Sequence, residues 1–375
     1  MYKSFTNCQQ FGDLKHLCNQ NCHYEVMTGV RKLLTDALTA PVPLFSGAVV
    51  LMAVNGQLAA SECVGTIARY ADNVGSLWPD EAATVTTDTL FDLASLTKLA
   101  TAATLLAALT EAGFNSRARV AEFLPGPASD MTMHHLLSHT AGWPAEWLDH
   151  RPGNDAWGRF RLLPAVNAPG EVYRYSCVGY IWAGLVIEAL TGERLDAAMR
   201  RLLFAPLGML HTGFSPSSDM LATTAATEVQ PARGLVHGTV HDETAWALGG
   251  IAGNAGLFAT ATDVLVLAEA LRIGLVGVNS DEMTTDQLRL YPALRNRPTY
   301  GQALGPRVAD REWMGALAAT GAIGHTGFTG TSVVTQPGGT RSVVFLSNRV
   351  HVSRHTSDLS TLRGRFADIV AKLEG

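Results

Sequence analysis

Strand-forming sequence stands near both ends of this 375-residue chain, and a long, mainly helical stretch lies between. Ser46–Val54 is β-rich, Asn55-Gly56 is a turn signal, and Gln57–Thr66 returns as the second arm of a hairpin. Near the other end, Ser332–Thr335 and Arg341–Asn348 flank the turn Pro337-Gly338-Gly339, and an amphipathic helix follows over Leu359–Leu373. Between them the pattern is helical with long loops. A short helix is expected over His134–Ser138, an apolar one over Tyr180–Leu190 closed by Thr191-Gly192, and another over Thr262–Arg272 opening at a Thr cap. A further short helix is expected from Leu33. This order fits an antiparallel sheet built from both ends of the chain and flanked by terminal helices, with an all-helical domain inserted. The expected fold class is therefore α+β and multi-domain. Residues 29–98 and 295–375 form the expected α/β part, and residues 99–294 the helical part. Residues 1–28 are expected to be a disordered N-terminal extension.

Composition limits the partners. The chain is 47% hydrophobic and 16% charged, as a well-buried enzyme-sized protein is. A net charge of −5 gives no reason to expect nucleic acid or an anionic membrane. The richest apolar run, Phe45–Val54, is too short to span a bilayer. Residues 1–26 are polar and lack the apolar core of a signal peptide, so a cytoplasmic location is expected. The five cysteines are Cys8, Cys18, Cys22, Cys63 and Cys177. Cys18-x3-Cys22-His23 is a conceivable zinc site, but no second Cys/His pair follows closely. The blander reading is a disordered extension, or a chain whose ordered part starts near Met27. No cofactor and no metal are expected, and oligomeric state stays open.

Lys98 is the only lysine between Lys32 and Lys372, in a chain with 23 Arg and five Lys. A lone Lys in a low-charge interior suggests a job Arg cannot do, since only Lys can lose its proton and act as a base. It lies three residues after Ser95, where a β-like stretch gives way to an Ala/Leu-rich helix running to about Gly113. Residues i and i+3 share a helix face, so the amine can approach the hydroxyl. A weak hydroxyl beside a base is an activated nucleophile. Alone, the pair also fits an ordinary helix start with a solvated Lys98.

Two more segments add weight. One is Tyr173-Arg174-Tyr175-Ser176-Cys177, and the other is Gly324-His325-Thr326-Gly327-Phe328 just before the last hairpin. With Ser95-x-x-Lys98, in this order, they resemble the Ser-x-x-Lys, Tyr-x-Asn and Lys-Thr-Gly boxes of the serine β-lactamase and penicillin-binding-protein superfamily. The Tyr in the second box resembles class C β-lactamases and the related esterases and D-peptidases. The resemblance covers about residues 40–370 and includes His135–Gly142, Pro206–Met209 and Gly253–Thr260. It implies a class C β-lactamase-like fold with an acyl-serine mechanism and these site residues. Ser95 is the implied nucleophile, and Lys98 accepts or relays its proton. Tyr175 is the second acid/base, as a phenolate stabilised by Lys98. His325 stands on the sheet facing the nucleophile. The N–H of Ser95 and one near Phe328 or Thr329 form the oxyanion hole. Cys177, Thr326, Gly327, Phe328 and Arg349 are the expected substrate contacts, although Arg349 fits equally well as a cap on the sheet.

The chain departs from the pattern twice. Cys177 stands where the penicillin-recognising members have Asn, and a thiol is a weak donor and acceptor. His325 stands where they have Lys, and an ordinary His is mostly neutral near pH 7. Both changes weaken recognition of a β-lactam or a D-Ala-D-Ala terminus, and both are compatible with an ester. Hydrolysis of a small-molecule carboxylic ester is therefore the favoured activity. A β-lactamase, D-amino-acid peptidase or acyltransferase acting on amide-type donors is the alternative, and a catalytically silent binding protein is a third. Other candidates carry less. Cys177 lacks the pattern of a cysteine hydrolase. His134, His135 and His139 lack the Glu of a metalloprotease helix. His237–Glu243 reads as a polar site wall.

Overall fold

The computed structural model describes residues 20–72, 76–77, 82–126, 130–274, 280–351, 353–355 and 358–373. Among these residues one sheet has seven strands: β1 (Gly47–Val54), β2 (Gln57–Gly65), β3 (Gly301–Gln302), β4 (Arg307–Val308), β5 (Ile323–Thr326), β6 (Ser332–Thr335) and β7 (Arg341–Ser347). Their spatial order is β2-β1-β7-β6-β5-β4-β3, with antiparallel neighbours. The first hairpin turns at Asn55 and Gly56, both at positive φ (52° and 76°), as a tight two-residue hairpin requires. The two ends of the chain meet where β1 pairs with β7, from Ala48 opposite Ser347 to Val54 opposite Arg341.

Every residue of β1 is buried, because the sheet is covered on both faces. Val49, Leu51 and Ala53 enter one core together with Val344 and Leu346. Ala48, Val50, Met52 and Val54 enter the other with Val343 and Phe345. The second core is closed by helix α1 (Gln20–Leu38) and by the C-terminal helix, Ser360–Ala371, which supplies Phe366 and Val370. α1 runs over Gln20–Leu38, so residues 20–28, expected as part of the N-terminal extension, are helical. Residues 1–19, including Cys8 and Cys18, lie outside the described residues.

The other core holds the inserted helices: α2 (Thr97–Glu111), α3 (Met133–Leu137), α4 (Cys177–Thr191) and α5 (Ala261–Ile273), with the C-terminal helix becoming α6. α4 ends at Gly192 in the left-handed region (φ 70°), as its Thr-Gly signal predicts. It starts earlier than Tyr180 because the Ser176 hydroxyl caps it, accepting the Gly179 N–H at 3.2 Å. That shift places Cys177 at the first helical position, with Tyr175 just outside. α5 is capped by Thr260, which accepts the Asp263 N–H at 3.3 Å. Among the described residues no helix is long and apolar enough to cross a membrane.

Candidate active site

Ser95 sits in a short 3-10 turn, Ala94–Leu96, that leads into α2. Within residues 91–100 it alone is not fully buried. Ala94 is held at φ 46°, a left-handed conformation that a non-glycine residue adopts only when its surroundings impose it. The carboxylate of Asp92 imposes it here. Its Oδ1 accepts the Ala94 N–H at 2.8 Å and its Oδ2 the His241 N–H at 2.6 Å. Burial pushes the Asp92 carboxyl up, against the pull of those two N–H groups.

Lys98 is completely buried. Its ammonium has three hydrogens and meets three acceptors: Ser95 Oγ at 3.0 Å, the Asn254 carbonyl at 3.0 Å and Cys177 Sγ at 3.5 Å. The Asn254 carbonyl arrives because Gly253 packs on α4. A Cβ on Gly253 would lie 2.1 Å from the Tyr180 carbonyl. The Gly253 carbonyl itself accepts from Thr101 of α2 at 2.7 Å.

Tyr175 is gripped by His139. The Arg174 N–H donates to the His139 carbonyl at 3.0 Å, and the Ser176 N–H to His139 Nδ1 at 3.0 Å. The two rings lie 4.5 Å apart between centroids. Lys98 Nζ stands 5.1 Å from the Tyr175 ring centre. His134 and His135 do other work: His134 meets Tyr291 at 2.7 Å, and His135 closes the cap of α3 at Thr132.

His325 lies within β5, opposite Val333 of β6, and is buried. Its Nδ1–H donates to the Thr326 carbonyl at 2.8 Å, which leaves Nε2 a bare acceptor with no partner among the described residues. The ring is 5.9 Å from that of Tyr175. Burial, then the positive Arg307 and Lys98, hold the imidazole well below its ordinary value. His325 is therefore neutral and offers a substrate carboxylate no charge.

The segment after β5 is tied to the nucleophile's own strand. Thr329 Oγ1 donates to the Asp92 carbonyl at 2.7 Å and Thr331 Oγ1 to the Leu93 carbonyl at 3.0 Å. Among the described residues neither the Ser95 N–H nor the Phe328 N–H is spent in a hydrogen bond, so both are available to an oxyanion. Arg349 donates to the Phe328 carbonyl at 2.9 Å and lies over the Phe328 ring at 5.3 Å, so it braces this segment. On the ring's other neighbour, His241 stacks at 5.6 Å and meets Glu228 Oε2 at 2.9 Å. Glu228, Arg233, Glu243, Trp246 and Arg354 line an adjoining cleft of about 740 Å³.

Proton bookkeeping differs from the sequence expectation. Burial pulls Lys98 down, but negative charge on Cys177 or Tyr175 would push it up, and the net direction is up. Burial raises Tyr175 and Cys177 despite Lys98 beside them. The fully protonated set is ammonium, phenol and thiol, and the upward push on Lys98 acts only once Tyr175 or Cys177 is charged, so the three titrate as one coupled set. The reactive form has one proton fewer, shared by the Lys98–Tyr175 pair. We expect kcat/KM for a neutral ester to climb roughly tenfold per pH unit from about pH 6 to about pH 9. A profile flat across that window would show the proton already gone. His325 is neutral throughout and contributes nothing to the slope.

A family model described as Beta-lactamase matches residues 37–364, and the chain belongs to that family. It is a serine hydrolase of the β-lactamase and penicillin-binding-protein superfamily. An Escherichia coli K12 protein provisionally named D-alanyl-D-alanine carboxypeptidase is 30% identical over 318 residues, 74% of this chain and 73% of that one. Among solved structures, a class C β-lactamase matches with a TM-score of 0.72 at 16% identity, covering 96% of this chain and 99% of that one. EstCE1, described as a hydrolase with promiscuous acyltransferase activity, matches at 0.66 and 22%, covering 93% and 98%.

Asp92, His139, His241 and the Asn254 carbonyl complete the site, and the three-box pattern did not assign them these roles. For His139, His241 and Asn254 the only sequence signals are the segments His135–Gly142, His237–Glu243 and Gly253–Thr260, and Asp92 stands in the run that leads to Ser95.

Proposed function

We propose that this protein hydrolyses uncharged carboxylic esters through an acyl-Ser95 intermediate. The Lys98–Tyr175 pair takes the Ser95 proton as Oγ attacks the ester carbonyl. The N–H groups of Ser95 and Phe328 hold the oxyanion. As the tetrahedral intermediate collapses, Tyr175 protonates the leaving alcohol. Water then enters, gives a proton to Tyr175 and attacks the acyl carbon, and Ser95 leaves with its proton restored. The observation that carries the preference for uncharged substrates is His325. It is neutral and presents a bare acceptor where the penicillin-recognising pattern has a lysine cation. Cys177 supports it, since its thiol faces Lys98 and is a poor donor to an amide carbonyl.

A second reading keeps the machinery for amide donors with a terminal carboxylate. It is favoured by the name of the Escherichia coli relative. It also has a cation near the site: the Arg307 guanidinium, paired with Asp310 at 2.9 Å, lies 5.9 Å from the Tyr175 ring centre. A panel of neutral esters, D-alanyl dipeptides and a chromogenic cephalosporin separates the two. Faster turnover of esters supports the proposal, and faster turnover of the dipeptide or cephalosporin overturns it. Cys177→Asn restores an amide donor, so the variant should raise cephalosporin turnover by about tenfold, the value of one good hydrogen bond. An unchanged rate would remove Cys177 from the account of specificity.

A further inference from the structure

Arg363 projects from α6 and is only 8% exposed, yet no carboxylate hydrogen-bonds it among the described residues. Its Nη2 donates to the Thr331 carbonyl at 3.1 Å and to the Gly327 carbonyl at 3.4 Å, while its Nε has no partner. The nearest compensation is the exposed Asp358 carboxylate, which acts on it through space without a hydrogen bond, and a buried cation whose direct partners are neutral carbonyls is costly to stability. The carbonyls do not need it. Thr331 O already accepts from the Gly327 N–H at 2.7 Å, and Gly327 O from the Gly330 N–H at 3.1 Å. A burden that the fold does not require points to a role in function.

Peptide geometry identifies that role. The Gly327 carbonyl and the Phe328 N–H belong to one planar trans peptide and point in opposite directions. A guanidinium that draws the carbonyl back therefore drives the N–H forward. It also polarises the peptide, making that N–H a stronger donor. The turn is clamped from the front as well, by Thr329 and Thr331 on the carbonyls of Asp92 and Leu93. We infer that Arg363 is a positioning residue for the oxyanion hole: holding the Gly327 and Thr331 carbonyls from behind, it aims the Phe328 N–H at the substrate oxyanion. This rests on the acyl-serine reading of the site.

The test compares Arg363→Met, Arg363→Lys and Phe366→Leu with wild type. Each is assayed for ester kcat and KM, thermal midpoint and affinity for phenylboronic acid, which forms a tetrahedral adduct on a nucleophilic serine. Phe366 packs in the same helix but touches neither carbonyl, so Phe366→Leu controls for loosened packing. Arg363→Met should lower kcat by about ten- to a hundredfold, less than or equal to the loss of a whole oxyanion donor. KM should stay within about twofold, and boronic acid affinity should fall with kcat, since both follow the tetrahedral state. Arg363→Lys should fall between, its ammonium reaching one carbonyl; it also carries the test if Arg363→Met fails to fold. Unchanged kcat, a loss confined to KM, or an equal loss in Phe366→Leu would overturn the inference. Wild type that binds the boronic acid but turns over no ester would overturn the ester reading alone, leaving the variants' boronic acid affinities to judge Arg363. Wild type that binds no boronic acid would overturn both.

Discussion

Lys98→Arg should lose about 10³-fold or more in kcat/KM for an ester, among the largest single-residue losses expected from the general base of a serine nucleophile. Charge is conserved in this variant, so the loss does not come from a missing cation; Arg cannot give up a proton at accessible pH. The slot is also specific. Lys98 is completely buried, and its three hydrogens are matched to Ser95 Oγ, the Asn254 carbonyl and Cys177 Sγ. A planar guanidinium has no room to repeat that arrangement. Lys98→Met fills the slot without the amine and should lose as much activity. It also leaves the buried Asn254 carbonyl without this donor, at a cost of about 1–3 kcal/mol. Steady-state kinetics beside a thermal melt separate the two effects. More than about a tenth of wild-type kcat/KM in folded Lys98→Arg would exclude Lys98 as the base.

Gly327→Ala should be the second severe change, through space and not through backbone conformation. A Cβ there would lie 2.0 Å from Thr331 Oγ1 and 2.5 Å from the Leu93 carbonyl. The Thr331 hydroxyl can rotate away only by breaking its bond to that same carbonyl. The Leu93 carbonyl cannot retreat without moving the turn that carries Ser95. The β5–β6 connection must therefore shift away from the nucleophile, and the Phe328 N–H goes with it. We expect kcat to fall by about 10²-fold, together with a lower thermal midpoint. Wild-type kcat in Gly327→Ala would mean that this segment does not form the oxyanion hole.

Much of this arrangement is legible in the sequence, and what is hidden has physical reasons. Both hairpins and helices α2, α4, α5 and α6 can be read because alternation, Gly turns and caps are local signals. Ser95, Lys98 and Tyr175 stand out for the same reason, each lying in a short run with fixed spacing. α1 was harder, since its first residues are polar and resemble an extension. The supports of the site are harder still. Asp92 acts through two backbone N–H groups, one of them on His241. Asn254 acts through its carbonyl, and its side chain is turned to Asp242 at 3.1 Å. Arg363 reaches carbonyls from the far end of the chain. A main-chain acceptor leaves no mark on residue type, so such contacts appear only once the chain is folded. Protonation is hidden likewise: the resemblance implies a Tyr175 phenolate, and burial opposes it.

Active-site labelling tests the central claim most directly. The protein is treated with a fluorophosphonate, digested and read by mass spectrometry, with Ser95→Ala alongside. The account predicts one stoichiometric adduct on Ser95 in wild type, formed faster as pH rises, and none in Ser95→Ala. An unlabelled Ser95 in folded wild type, or equal labelling and ester turnover in Ser95→Ala, would contradict it.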